Sequence, residues 1–253
     1  FVQGSDVDAQ SVMVRDVEPR AVDGLAGWGV GFQLDTDTGE RADGILRHAR
    51  VERTAEAGIV ALGADLTVED AAVRDGQQRP AGTLGRGIVA QHAFEFADDS
   101  PLEAATTLVV RWSTVEQVYE AGVSVGGAGA TIEHVLVRDT RSSSTGQFGD
   151  GVVGTLVTPS PERVIEPDVR VRNSVLERNA RAAIATFGGA MVLDGVWLDC
   201  NPIELNGEVI QLPQAGAPID FSFEAQGDNR CGCGLEVYPC RVLSSGLFPP
   251  PQL

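Results

Sequence analysis

The chain repeats itself. Residues 51–75 align without a gap on residues 115–139 with 12 of 25 positions identical, and the same window falls again on residues 176–200 with its hydrophobic positions kept. Self-similarity at a period near 60 residues marks a stacked architecture, in which each unit buries its apolar face only against the next. Within the period lies a half-repeat, a small residue followed by a β-branched one: Gly29-Val30, Gly58-Ile59, Gly87-Ile88, Gly122-Val123, Gly151-Val152 and Ala183-Ile184. Each coil also carries a second apolar alternation and a third, shorter one, such as Leu66-x-Val68 and then Val73, or Leu108-x-Val110 and then Val115. No stretch of about 12 residues keeps a helical period, so each coil is three short strands with small residues at a corner.

Stacking such coils puts inward side chains into columns and pairs each backbone with its neighbours at about 4.8 Å. The expected fold is all-β, a right-handed parallel β-helix of about seven coils over residues 1–225, followed by a Cys-rich cap and Pro-rich tail over 226–253. A β-propeller, with blades of about 40–50 residues, fits a half-period near 30 poorly. On its repeat form the chain resembles the pectate-lyase-like β-helix superfamily over roughly residues 10–225. The resemblance implies a groove beside one sheet in which polysaccharide is often bound. It implies, for lyases, an Arg or Lys base with Ca²⁺ held by carboxylates, and for hydrolases, clustered Asp residues.

Charge supports a structural reading. The chain has 19 Arg, no Lys and a formal net charge of −17. Such a balance excludes nucleic acid as a partner and disfavours anionic membrane, and without Lys there is no Schiff base, P-loop lysine or Ser–Lys dyad. No apolar run is long enough for a membrane span. When coils are registered on Val14, Val51, Val73, Val115, Val137, Leu176 and Leu198, the next column reads Arg15, Glu52, Arg74, Glu116, Arg138, Glu177, Asp199. The one after it reads Asp16, Arg53, Asp75, Gln117, Asp139, Arg178, which we place at a corner. A further column reads Arg47, Glu69, Arg111, Glu133, Arg172, Asp194. Like charges one strand apart would repel, whereas alternation makes the same geometry attractive. Arg74 is therefore expected within ion-pair reach of Glu52 or Glu116.

Long inserts flank the Gly-Ile/Val strand on alternate coils: 18–28, 76–86 and 140–150 before it, and stretches from Leu34, His92 and Leu156 after it. They can wall a groove. If Ile59 points inward, the outward neighbours are Gly31, Val60, Val89, Ser124, Val153 and Ala185, and none titrates, so an acid and base would have to come from loops. The candidates are His92, Asp98 and Asp99, with Glu95 beside them. Asp35, Asp37 and Glu40 offer hard oxygen ligands for Ca²⁺ around a D-x-D-x-G spacing, but Leu46 stands where an EF-hand loop needs its bidentate Glu, so the motif is incomplete. His48 and His134 share one column with Asp70, Trp112 and Asn173, too far apart and too mixed for a metal site.

All four cysteines lie late: Cys200, Cys231, Cys233 and Cys240. A Cys231–Cys233 bridge would close too small a ring, so Cys200 is expected to bond one of that pair and Cys240 the other. Four thiolates on Zn²⁺ is the alternative. A chain beginning at Phe1 with disulfides reads as a mature form or fragment of a secreted or cell-surface protein. The expected function is a non-enzymatic structural or adhesin-like module whose loops contact glycans. The alternative is a polysaccharide lyase or glycoside hydrolase with a loop-built, Ca²⁺-dependent site.

Overall fold

The computed structural model describes the chain except residues 22–25, 98–99, 161–162 and 213–216. The described residues form a right-handed parallel β-helix with no helix. Eight coils, the first at residues 2–17, each contribute one strand to each of three parallel sheets. Sheet 1 contains the strands Trp28–Gln33, Ala57–Leu62, Arg86–Gln91, Ala121–Gly126, Asp150–Thr155, Ala182–Phe187 and Ile203–Glu208, with short edge strands at Val2–Gln3 and Val242–Leu243. Sheet 2 runs from Asp6–Gln10 to Phe221–Gln226, and the parallel strands of sheet 3 from Met13–Val17 to Arg230–Cys233, beyond which Glu236–Tyr238 pairs antiparallel.

The half-repeat marks the corner between sheets 3 and 1. A Cβ on Gly29 would lie 2.6 Å from Gly58 O, and one on Gly151 would lie 2.5 Å from Ala183 O, so each coil's corner leaves no space for a side chain beneath the next coil. The other corners use single residues in the left-handed region. Ser11, His48, Asp70, Trp112, His134 and Asn173 sit between sheets 2 and 3 at φ +45 to +56°. Asp16, Arg53, Asp75, Gln117, Asp139, Arg178 and Cys200 end the sheet-3 strand at φ +50 to +57°. The turn keeps the backbone paired: His48 N–H donates to Glu69 O at 3.1 Å and His134 N–H to Arg172 O at 3.1 Å. The strain of a left-handed non-glycine residue is thus held by a hydrogen bond at each level.

The charge columns lie in register. Glu52 pairs in the ladder with Arg74, Arg74 with Glu116, Glu116 with Arg138 and Arg138 with Glu177; on sheet 2, Arg47 pairs with Glu69, Arg111 with both Glu69 and Glu133, and Glu133 with Arg172. Arg74 Nε is 2.7 Å from Glu52 Oε1, and Arg138 Nη2 is 2.6 Å from Glu116 Oε2. Arg47 spans two levels, donating to Asp8 and Glu69. At the corner, Arg53 Nη2 reaches Asp16 Oδ2 at 3.0 Å. The Arg50 hydrogen bond holds the Glu52 carboxyl below the usual glutamate range, with Arg53 adding to it, and Arg53 holds Asp16 low in the same way.

Interior columns are filled by Leu46, Val51, Ile59, Leu66, Val68, Ile88, Val110, Ile132 and their successors. Volume is matched across the coil: Gly44 faces the Phe32 ring, Gly154 faces Met191 Cε and Gly207 faces the Phe221 ring. Long inserts occur on alternate coils, with corners of one to four residues on the coils between them, which is why the sequence repeats every two coils. Two inserts are hairpins, Ala93–Ala97 with Ser100–Ala104 and Val157–Ser160 with Arg163–Ile165. The cysteines form Cys200–Cys233 and Cys231–Cys240, which leaves no thiolate for Zn²⁺. They tie Arg230–Cys233, the last parallel strand of sheet 3, to the coil below it and to the segment after it.

Candidate functional site

Sheet 1 is walled on both flanks by the inserts, so its outer face is the floor of a groove. Six-residue strands give that floor three outward columns. The middle one is Gly31, Val60, Val89, Ser124, Val153, Ala185, Asn206, as the alternation predicts. The column nearer sheet 2 is Gln33, Leu62, Gln91, Gly126, Thr155, Phe187, Glu208. The column at the start of the strands includes Trp28, Ala57, Arg86, Ala121, Asp150 and Ala182, and strict alternation misses it. The ladder pairs Arg86 with Ala57 and Ile88 with Ile59 but skips the glycines between, so the residue before each corner glycine turns outward.

That irregularity places two charges on the floor. Arg86 and Glu120 are each only 2% exposed, and Arg86 Nε and Nη2 donate to Glu120 Oε2 at 3.2 and 3.0 Å while Leu84 N–H donates to Oε1 at 2.8 Å. Two coils on, Asp150 is fully buried and accepts from Arg181 Nη2 at 2.5 Å and from Ala182 N–H at 3.0 Å. Glu120 and Arg181 occupy one repeat position, as do Arg86 and Asp150, so the same buried pair is built twice with its charges exchanged. At the equivalent earlier corner Glu56 pairs with Arg79 and accepts from Gly27 N–H. Burial pushes the Arg86 guanidinium down and the Asp150 carboxyl up, each opposed by its partner. Removing one member leaves a buried unpaired charge, which is far costlier than the pair is beneficial.

The floor is covered by the chain's own last residues. Val242–Leu243 pairs with Ile203–Glu208 at the end of sheet 1. The segment then turns and crosses the strands. Glu208 Oε1 accepts from Ser245 N–H at 2.6 Å and Gly246 N–H at 3.0 Å, and its Oε2 accepts from Ser244 Oγ at 2.6 Å. Burial works to raise the Glu208 carboxyl, but these donors outweigh it, and it lies below the usual glutamate value. Arg181 Nη1 donates to Ser245 Oγ at 3.0 Å, Leu247 packs against the Val153/Ala185 cluster, and Arg86 Nη2 donates to Pro251 O at 2.7 Å. Gln252 Nε2 donates to Thr155 Oγ1 at 3.0 Å, Leu253 N–H donates to Gln91 Oε1 at 2.9 Å, and the Leu253 side chain rests on Ala57, Val60 and Val89. From Ser245 at Glu208 to Leu253 at Gln91 the segment passes four strand spacings, about 19 Å, well within the roughly 25 Å that eight extended residues can span. Beside Leu253 lies a cavity of about 290 Å³ lined by Gln33, Leu34, Leu62, Gln91, Ala93 and Phe94.

The candidates from sequence fall elsewhere. His92 is buried beside the floor; its Nε2 is 2.6 Å from Glu103 Oε1, its Nδ1 has no partner among the described residues, and Glu103 also pairs with Arg163. Asp98 and Asp99 lie outside the described residues. Asp35 Oδ1 accepts from Asp37 N–H at 2.8 Å and Thr38 N–H at 3.1 Å, an Asx turn, and Glu40 lies beyond it. Among the described residues, the ligand-type side chains converging within 4.8 Å are Asp199, Cys200 and Cys233, of which the cysteines are spent in a disulfide. His48 and His134 stay on their corner column, His48 Nδ1 at 2.7 Å from Asp70 Oδ2 and His134 stacked on Trp112. Arg86, Asp150 and Glu208 escaped the sequence reading; the signal was a charge immediately before the corner glycine in Arg86-Gly87 and Asp150-Gly151.

No protein-family model matches the chain, and no curated protein matches it. Among solved structures it is similar to the pectate lyase Pel9A, with a TM-score of 0.46 and 10% sequence identity, over 87% of this chain and 55% of that one. The chain thus spans about half the length of that structure.

Proposed function

We propose that this chain is a non-enzymatic, extracellular β-helix module, structural or adhesin-like, whose loop crest contacts glycans. The observation that carries the reading is the state of the groove floor: its central column is Gly, Val, Ser and Ala, its charges Arg86 and Asp150 are bound in buried pairs, and residues 244–253 lie across it. An acid, base or oxyanion site needs a titratable group within reach of substrate, and the floor's groups are already engaged. Two disulfides suit an oxidising compartment, and a net charge of −17 keeps the module soluble and away from nucleic acid. The test is a panel of acidic and neutral polysaccharides, with and without Ca²⁺, scored for binding and for product. Binding without turnover is the expected result; release of unsaturated or reducing ends at enzyme-like rates would overturn the reading.

A further inference from the structure

We propose that the outer face of sheet 1 is a recognition groove for an extended, uncharged, proline-rich peptide of another protein, and that residues 244–253 are its cis occupant. The inference goes beyond the glycan contacts of the loops and rests on different residues.

Four features of the contact support it. The occupant, Ser244 to Leu253, contains no charged residue although charged residues make up 22% of the chain. It crosses the strands rather than joining the sheet, so its affinity comes from side-chain anchors and discrete hydrogen bonds, as in grooves that take polyproline segments. The anchors are spaced by exposed positions: Pro250 is buried, Leu247, Pro249 and Leu253 are half-buried, and Phe248, Pro251 and Gln252 are exposed. The groove also supplies fixed partners along its length: Glu208 for backbone N–H groups, Arg86 for a carbonyl, Gln91 for the last N–H, and Thr155 for a side-chain amide. Pro250 is the deepest of the side-chain anchors, buried where nearby Phe248 and Pro251 are exposed.

A tethered segment competes at an effective concentration of about 1 mM, so a peptide that binds the open groove at about 50 µM would be weakened about 20-fold by the docked tail. The probe is a fluorescently labelled peptide of residues 246–253, GLFPPPQL, measured by anisotropy. The chain lacking residues 244–253 is expected to bind it with micromolar affinity, the full chain at least 10-fold more weakly. The same peptide carrying Pro250→Asp, which puts a charge at the buried anchor, is expected to bind the truncated chain at least 10-fold more weakly. In the full chain the same substitution is expected to expose the tail to proteolysis while the thermal midpoint of the β-helix stays unchanged. A folded truncated chain that ignores the peptide, equal binding by full and truncated chains, or a truncated chain that takes oligogalacturonides in place of the peptide would each overturn the proposal.

Discussion

Breaking the Arg86–Glu120 pair is the sharpest test of how the groove floor is built. Glu120→Gln keeps the shape and an acceptor for Leu84 N–H but leaves a guanidinium that is 2% exposed without its counter-charge. Losing one partner of a buried pair costs about 3–5 kcal/mol, which for a chain of this size lowers the thermal midpoint by about 6–20 °C. Glu120→Arg, placing two buried cations together, should be worse than Glu120→Gln. The repeat then supplies its own control. Because Asp150 and Arg181 hold the same positions two coils later with charges exchanged, the double variant Arg86→Asp with Glu120→Arg should regain at least half of the loss from Glu120→Arg alone. Full recovery is not expected, since Leu84 N–H loses its acceptor and Pro251 O its donor. Far-ultraviolet circular dichroism across a thermal ramp reads all four proteins. A Glu120→Gln loss below about 1 kcal/mol, the range of exposed pairs, or a double variant no better than the single, would refute the reasoning.

Three further outcomes follow from the same physics. Glu208 titrates below its usual value in the folded chain, so its hold on the tail is complete above about pH 4.3 and is lost as pH falls through the lower folded value; pepsin cleavage of 244–253 should rise in that range, and Glu208→Gln should flatten the dependence. In the ladder, Glu52→Gln should cost about 1–3 kcal/mol, because Glu52 is nearly buried and takes Arg50, Arg53 and Arg74. Arg178→Ala, removing an exposed guanidinium from Asp139 and Glu177, should cost less than about 1 kcal/mol, both read as shifts in urea midpoint. Gly87→Ala should lose about 1–3 kcal/mol by overpacking against Gly122 O and Val115, whereas Gln117→Gly, at φ +55°, should be neutral or stabilising by up to about 1 kcal/mol.

Much of the scaffold was legible in the sequence because a stacked coil repeats its constraints. Val51, Val73 and Val115 recur at one position since each fills the same interior column, and the alternation Glu52, Arg74, Glu116, Arg138 recurs since in-register neighbours must differ in sign. The corner assignment of Asp16, Arg53 and Asp75 follows from strand parity alone and matches their positive φ. The groove floor was legible only in its middle column. Arg86 and Asp150 turn outward because the strand is irregular at the glycine beside them, and a period-two reading carries no information about that irregularity. The sequence reads the Cys-rich segment and the Pro-rich tail together as a cover for the open end of the stack, and the tail's path across sheet 1 was not legible: Ser244 to Leu253 has no repeat partner, and it is placed by contacts with residues up to 165 positions away.

Amide exchange of the tail tests the central claim most directly. Ser245 and Gly246 N–H donate to Glu208 and Leu253 N–H donates to Gln91. A tail docked about 20-fold over its released state protects these three amides by a similar factor, and Pro250→Asp, which charges the buried anchor, should abolish the protection at Leu253. Protection factors near unity at all three, in a chain whose sheet amides remain protected, would contradict an occupied groove.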